Sequence, residues 1–251
     1  MLDDVSNAGH YRWPRGAWDT VGVNQAQRAP KAVLWDMDGT IVDTEPYWIE
    51  AEFDVVESHG GTWSHEHGKA LVGSDLLDSG RYIREHGGIN LDPHAIVEML
   101  LDRVVASVRR DVPWRPGARE LLASVRADGL ATALVTMSWR RFAVEVVNAL
   151  PTGSFDVVVV GDDVAKGKPH PDPYLLAAER LGVDPSMCLA VEDSPTGVVS
   201  ALAAGCTVLA VPHIVPIPPP PDPAAPIVFR ESLEGLSVGD LVSIMGDGLG
   251  R

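Results

Sequence analysis

Five short, mostly apolar runs constrain the fold more than any other feature of this 251-residue chain. They cover residues 32–35, 131–135, 157–160, 187–191 and 206–211. Runs this short and this apolar predict strands buried on both faces, the pattern of a parallel sheet. Stretches with helical periodicity stand between them, at 117–128, 139–149, 174–181 and from Ser194-Pro195 to Gly205. Ser194 suits a helix cap and Pro195 the first helical position. Strands and helices in alternation predict an α/β fold, with a doubly wound, Rossmann-like parallel sheet. A proline-rich connector at 212–226, a weaker sixth strand at 227–229 and a last helix complete the chain.

The alternation is interrupted once, after the first run. Between residues 46 and 113 nothing reads as a strand. Helices are expected at 46–59, 75–84 and 94–110, with breaks at Gly60-Gly61, Gly73, Gly80, Gly87-Gly88 and Pro93. Trp48, Ala51, Val55 and Val56 form one apolar stripe on the first of them. The expected organisation is an N-terminal extension at 1–30, a discontinuous sheet core at 31–45 and 114–251, and a helical insertion at 46–113. Tyr11, Trp13 and Trp18 of the extension are expected to pack on that core.

Four of the apolar runs are followed by polar clusters: Asp36/Asp38, Thr136/Ser138, Lys166/Lys168 and Glu192/Asp193. In a parallel sheet the carboxyl ends of the strands share one edge, where open α/β sheets bind their ligands. Each cluster alone has a plain structural reading. Asp36-Met37-Asp38-Gly39-Thr40 makes a turn, Thr136 and Ser138 make helix caps, the lysines make solvated loop charges, and Glu192-Asp193 complements a helix N-terminus. Four clusters at one edge make that reading improbable for all of them together.

The assembled set suits phosphoryl transfer. One carboxylate can attack while its neighbour moves a proton. The paired acids call for a divalent cation, and magnesium prefers oxygen ligands. The ammonium and hydroxyl suit phosphate oxygens. A calcium loop starting at Asp36 fails, because its sixth position is Ile41 and its twelfth Tyr47. A P-loop fails as well: the glycines between Gly161 and Lys168 are wrongly spaced, and Pro169 stands where Ser or Thr is needed.

The formal net charge is -15, which argues against nucleic acid and anionic membranes as partners but leaves room for a small phosphorylated metabolite. No run approaches membrane-span length and the N-terminus has no apolar signal core, so a cytoplasmic location is expected. Cys188 and Cys206 both lie in apolar runs and are expected as buried free thiols. A monomer is the expected state.

The sequence resembles the haloacid dehalogenase superfamily of phosphohydrolases. Its four motifs are matched in order by Asp36-Met37-Asp38-Gly39-Thr40, Val135-Thr136-Met137-Ser138, Lys168-Pro169 and Glu192-Asp193-Ser194, over a span from Lys31 to near the end. The insertion resembles the family's helical cap of the first type. Asp43-Thr44-Glu45-Pro46-Tyr47-Trp48 is similar to the β-phosphoglucomutase-like branch, and most to its hexose-phosphate phosphatases.

The resemblance implies Asp36 as nucleophile, Asp38 as general acid/base, and Thr136 and Lys168 as phosphate-binding residues. Magnesium is implied on Asp36, the Asp38 carbonyl and Asp193, with Glu192 nearby or ligating. Trp48 stands where the mutases of this branch carry a histidine, and Leu76 where their phosphate-binding arginine is expected. Asp38 argues against dehalogenation, since the true dehalogenases lack this second acid.

A magnesium-dependent sugar-phosphate phosphatase is therefore the expectation. Its rivals are a phosphomutase and a non-catalytic phosphometabolite-binding protein, and the intact acids, Thr136 and Lys168 speak against the latter. Substrate choice is expected among Glu45, Trp48, His65, His67 and Leu76, with Arg81 and Arg84 as alternative sources of positive charge.

Overall fold

The computed structural model describes residues 29–71 and 74–247. The packing expected of Tyr11, Trp13 and Trp18, nearly all of the N-terminal extension, and the break expected at Gly73 lie outside the described residues. The strands are β1 (Ala32–Trp35), β2 (Ala131–Val135), β3 (Val157–Val159), β4 (Cys188–Glu192), β5 (Thr207–Ala210) and β6 (Ile227–Phe229). They form one sheet in the order β3-β2-β1-β4-β5-β6, with every pairing parallel. The chain leaves β1 for β2 and β3, then returns to the other side of β1 with β4. The topological switch point therefore lies between β1 and β4, where such sheets open a crevice.

The helices are α1 (Glu45–Ser58), α2 (His65–Leu71), α3 (Leu76–His86), α4 (Pro93–Arg110), α5 (Ala118–Ala127), α6 (Arg140–Asn148), α7 (Asp172–Leu181), α8 (Pro195–Ala203) and α9 (Val238–Asp247). Alternate residues of β1 face two separate cores. Val33 and Trp35 join α5, α6 and α9, while Ala32 and Leu34 join α7 and α8. Because both faces are covered, the strands carry no polar alternation, which is why they are legible as continuous apolar runs.

Four helices, α1 to α4, fill the interval between β1 and α5. Asp75 and Asp92 cap α3 and α4 through their side chains, and Pro46 and Pro93 occupy first turns. Ile96, Leu100 and Val104 make a buried stripe along α4 that seats these helices on one another and on α6. Trp48 of α1 meets Phe142 of α6 edge to face, with ring centroids 5.6 Å apart. Burying the Phe142 ring contributes roughly 2–3 kcal/mol of transfer free energy to this contact. At the rim of the same contact, Arg141 of α6 pairs with Glu98 at 2.7 Å and with Asp102.

Three local expectations are revised. Gly80 does not break a helix but lies inside α3, where an added Cβ would stand 2.5 Å from the carbonyl oxygen of Pro93. The glycine is there so that α3 can approach the start of α4. Glu192, expected in the turn after the fourth run, is the last residue of β4 and pairs in register with Ala210. Helix α7 begins at Asp172 rather than 174, and a short 3-10 turn at Gly161–Asp163 precedes it.

Candidate active site

The strand ends converge on one cavity of about 150 Å³, with the sheet edge as its floor and α1 and α3 on its far side. Asp36 continues the line of β1, its backbone N–H donating to Val191 O at 3.0 Å. The residue is 7% exposed. Its Oδ1 accepts from Lys168 Nζ at 2.6 Å, while Oδ2 is buried without a hydrogen-bond partner.

Lys168 is equally enclosed. Its Nζ also donates to Val135 O at 2.9 Å and to Glu192 Oε1 at 2.6 Å. Three acceptors thus meet the three protons of one ammonium. Burial alone would lower the Lys168 pKa, but Asp36 and Glu192 more than reverse that and hold it above its ordinary value. The side chain is a permanent cation at neutral pH.

Glu192 is fully buried behind this lysine, and Tyr174 donates to its Oε1 at 2.5 Å. Burial pushes Glu192 up to about 7, against the lowering influence of Lys168. Because Glu192 is the last residue of β4, its neighbour Asp193 emerges into the cavity while Glu192 stays in the interior. Burial, and then the negative charges of Asp36 and Glu192, hold the Asp193 carboxyl well above the usual range.

Two glycines make room for these acids. Gly39 has φ +87°, and a Cβ there would lie 2.0 Å from Asp193 Oδ2. A Cβ at Gly197 would lie 2.0 Å from the carboxyl of Glu192.

Asp38 is held differently. Its Oδ1 accepts from Thr44 Oγ1 at 2.6 Å, and its Oδ2 from Ser138 Oγ at 2.8 Å and Thr136 Oγ1 at 3.4 Å. Burial raises its pKa to about 6, a shift limited by those hydroxyls and reinforced by Asp36. The two acids of the first turn therefore differ sharply. One is fixed by a cation and keeps a bare oxygen; the other is ringed by hydroxyls and titrates near neutrality.

Ligand-atom positions on Asp36, Glu192 and Asp193 fall within 4.8 Å of one another. A divalent cation fits this donor set because three acids crowd together there, and burial with the charges of Asp36 and Glu192 raises Asp193.

On the insertion side, Glu45, Trp48 and Leu76 line the cavity as the sequence suggests, joined by Glu52. His65 and His67 do not line it. His65 lies against Phe53 and His67 against Trp63, with centroids 5.1 Å and 4.7 Å apart. Arg81 and Arg84 line a separate hollow beside Pro93, and Arg81 pairs with Asp78. Lys166 is exposed and outside the cavity.

Thr44, Glu52 and Tyr174 are site residues that the sequence does not single out, and Ser138, marked there only as part of a polar cluster, donates to Asp38. Thr44 falls where a threonine reads as the cap of α1, yet it makes no capping bond and its hydroxyl goes to Asp38. Glu52 and Tyr174 each look like one more position of an amphipathic helix.

Glu52 is 4% exposed, and its Oε2 accepts from Trp63 Nε1 at 3.0 Å. Burial pushes it up to about 7 despite that hydrogen bond. A carboxyl raised on folding adds stability below its unfolded pKa and loses it as pH rises through the folded one. The melting temperature, measured with chelator present, is therefore expected to rise as pH falls from about 8 to about 6. Glu52→Gln should flatten that slope; an unchanged slope would refute the assignment.

The comparisons with known proteins agree with this geometry. A family model described as haloacid dehalogenase-like hydrolase matches residues 33–211. The phosphorylated carbohydrates phosphatase of Thermotoga maritima is 35% identical over 185 residues, covering 70% of this chain and 82% of that protein. Hexitol phosphatase B of Escherichia coli is 32% identical over 185 residues, covering 72% of this chain and 83% of that protein. Among solved structures, a variant of CbbY from Rhodobacter sphaeroides in complex with xylulose-(1,5)bisphosphate superposes with a TM-score of 0.74 at 27% identity. That superposition covers 82% of this chain and 96% of CbbY.

Fold, site and relatives together define an enzyme, a phosphoric monoester hydrolase. The switch-point cavity is where the chemistry of such an enzyme belongs. The chain belongs to the haloacid dehalogenase-like hydrolase family. Among the described residues, no helix is long and apolar enough to cross a membrane.

Proposed function

We propose that the chain is a magnesium-dependent phosphatase of a small sugar phosphate, acting through an aspartyl-phosphate on Asp36. The observation that carries this reading is the bare, buried Oδ2 of Asp36 at the cavity floor, on a carboxylate whose other oxygen is pinned by Lys168. In this reading Asp36 Oδ2 attacks phosphorus, and the bond from phosphorus to the sugar oxygen breaks. Asp38, with a pKa of about 6, hands its proton to that departing oxygen. It then takes a proton from the water that attacks the aspartyl-phosphate, which frees inorganic phosphate and restores Asp36.

Thr136 holds a phosphoryl oxygen, and Lys168 holds another by exchanging one of its three present acceptors for it. Asp36, Asp193 and the Asp38 carbonyl would hold magnesium, with Glu192 behind them. The ion when bound supplies neutralisation of the acids and of the phosphoryl charge. Helices α1 to α4 serve as the cap over a core formed by 31–45 and 114–251, and sugar recognition falls to that cap. Buried free thiols at Cys188 and Cys206 suit a reducing cytoplasm.

The decisive experiment follows the phosphoryl group. With a hexose phosphate that turns over, inorganic phosphate and free sugar should appear in equal amounts. Isomerisation that requires a bisphosphate primer, with little phosphate released, would make the chain a mutase instead. Failure to turn over any phosphate ester, with magnesium present, would leave a binding protein.

The metal assignment has its own check. Asp193→Ala should raise the magnesium concentration needed for half-maximal activity by at least about tenfold. Ser194 Oγ accepts from Gly197 N at 3.1 Å as the cap of α8, so Ser194→Ala should mainly cost about 1 kcal/mol of stability. Activity that persists undiminished in chelator would overturn the metal.

A further inference from the structure

The far end of the cavity is built of acids and hydroxyls. Among the described residues that line the cavity, the only lysine or arginine is Lys168, which lies at the floor and is already shared by three acceptors. His213 also lines the cavity, 3.0 Å from Asp43. The wall opposite the floor carries Glu45, Glu52, Ser74 and Ser79, with Trp48 and Leu76 as its apolar parts.

Glu52 is not a surface charge that happens to point inward. It sits in the interior of α1, and Trp63 Nε1 fixes its Oε2. An added Cβ at Gly68 of α2 would lie 3.1 Å from that same oxygen, so α2 carries a glycine where it passes the carboxyl. A buried carboxyl with one oxygen anchored and a cavity in front of it is oriented for a ligand.

Resting on the phosphatase reading above, we infer that Glu45 and Glu52 are the specificity determinants of the enzyme. They hold the hydroxyls of a polyhydroxylated carbon chain that bears a single phosphate, and they exclude bisphosphates.

The chemistry is matched on both counts. Carboxyl groups bond sugar hydroxyls strongly, because an ionised oxygen accepts a shorter and stronger hydrogen bond than a neutral one. Burial, and for Glu45 the charge of Glu52, raises both acids to about 7, so near neutrality each can donate as well as accept, as a hydroxyl partner requires. Trp48, which lines the cavity, offers apolar surface to the carbon skeleton. A second phosphate at this end would be desolvated beside two acids with no cationic partner, a placement that is strongly unfavourable.

The test compares kcat/KM for three probes: 4-nitrophenyl phosphate, a hexitol monophosphate and the bisphosphate of the same hexitol. Wild type should favour the monophosphate over the bisphosphate by at least about tenfold. In Glu52→Met and Glu45→Ala, the ratio of hexitol monophosphate to 4-nitrophenyl phosphate should fall about 10- to 100-fold, the loss of one charge-assisted hydrogen bond. Glu52→Met removes a buried group, so a melting curve accompanies it, and Glu45, half-buried in the first turn of α1, lets Glu45→Ala carry the test if Glu52→Met does not fold. An unchanged ratio in a folded variant, or a wild type indifferent to the second phosphate, overturns the inference while leaving the phosphatase standing. A wild type inactive on all three probes removes the phosphatase reading and this inference with it.

Discussion

Asp36→Asn should abolish turnover, by a factor on the order of 10⁴ or more, while the protein folds as before. The substitution keeps the shape of the side chain and leaves an oxygen for Lys168, which now donates to Asp36 Oδ1 at 2.6 Å. It removes the second anionic oxygen, the one that is buried without a partner. An amide at that position cannot form the acyl phosphate.

The fold should not suffer, because the site is crowded with negative charge. The charge of Asp36 contributes to raising Asp38, Glu192 and Asp193, so its loss relieves those three. The melting temperature of Asp36→Asn is therefore expected to stay level or rise, with activity gone. A beryllium fluoride complex should form on wild type and not on the variant. Wild-type turnover by Asp36→Asn would sink the covalent route.

Lys168→Met should cost both activity and stability. The Lys168 side chain is 6% exposed, and its ammonium joins Asp36, Glu192 and the Val135 carbonyl. Methionine fills the space but leaves two buried carboxylates facing each other and one carbonyl unbonded. Breaking a buried ion pair by removing one partner costs roughly 3–5 kcal/mol. The loss should depend on pH in a defined direction. Lys168 lowers Glu192, so without the cation Glu192 rises further above its unfolded value, its protonated form keeps the fold at low pH, and stability falls as pH rises through that value. Melting curves in chelator should show the gap between variant and wild type widening from about pH 5 to about pH 8. A gap that is constant with pH would mean that Lys168 acts through packing alone.

The contrast between these two variants shows how the site is built. The two residues are partners in one ion pair, yet one substitution relieves repulsion and the other creates it. Only the arrangement of Glu192 behind Lys168, with Tyr174 closing the far side, produces that asymmetry.

Much of this was legible in the chain itself. β1 and β2 fall at the residues that the apolar runs mark, because strands covered on both faces read as continuous apolar runs. The polar clusters had to meet at one edge, because parallel strands all point their carboxyl ends the same way. Asp36, Asp38, Thr136, Lys168 and Asp193 follow from that rule, and the structure brings them to one cavity. The chemistry of the floor was thus set by local sequence and sheet direction.

Tertiary structure alone decided the rest. Glu192 and Asp193 are adjacent letters, and only the extension of β4 by one residue turns the first inward to Lys168 and the second toward the cavity. Gly80 reads as a break in isolation, and only the nearness of Pro93 makes it a contact between two helices. Thr44 reads as a cap until the fold presents Asp38 to its hydroxyl. His65 and His67 are plausible ligand contacts by type, but aromatic neighbours take their rings away from the cavity. Glu52 looks like one more acid on an amphipathic helix until α2, with Gly68 and Trp63, encloses it. Each of these outcomes depends on which helix comes to lie beside which. The order of residues specifies elements and their direction through short-range periodicity, whereas burial, hydrogen-bond partner and charge state belong to pairs of side chains far apart in sequence.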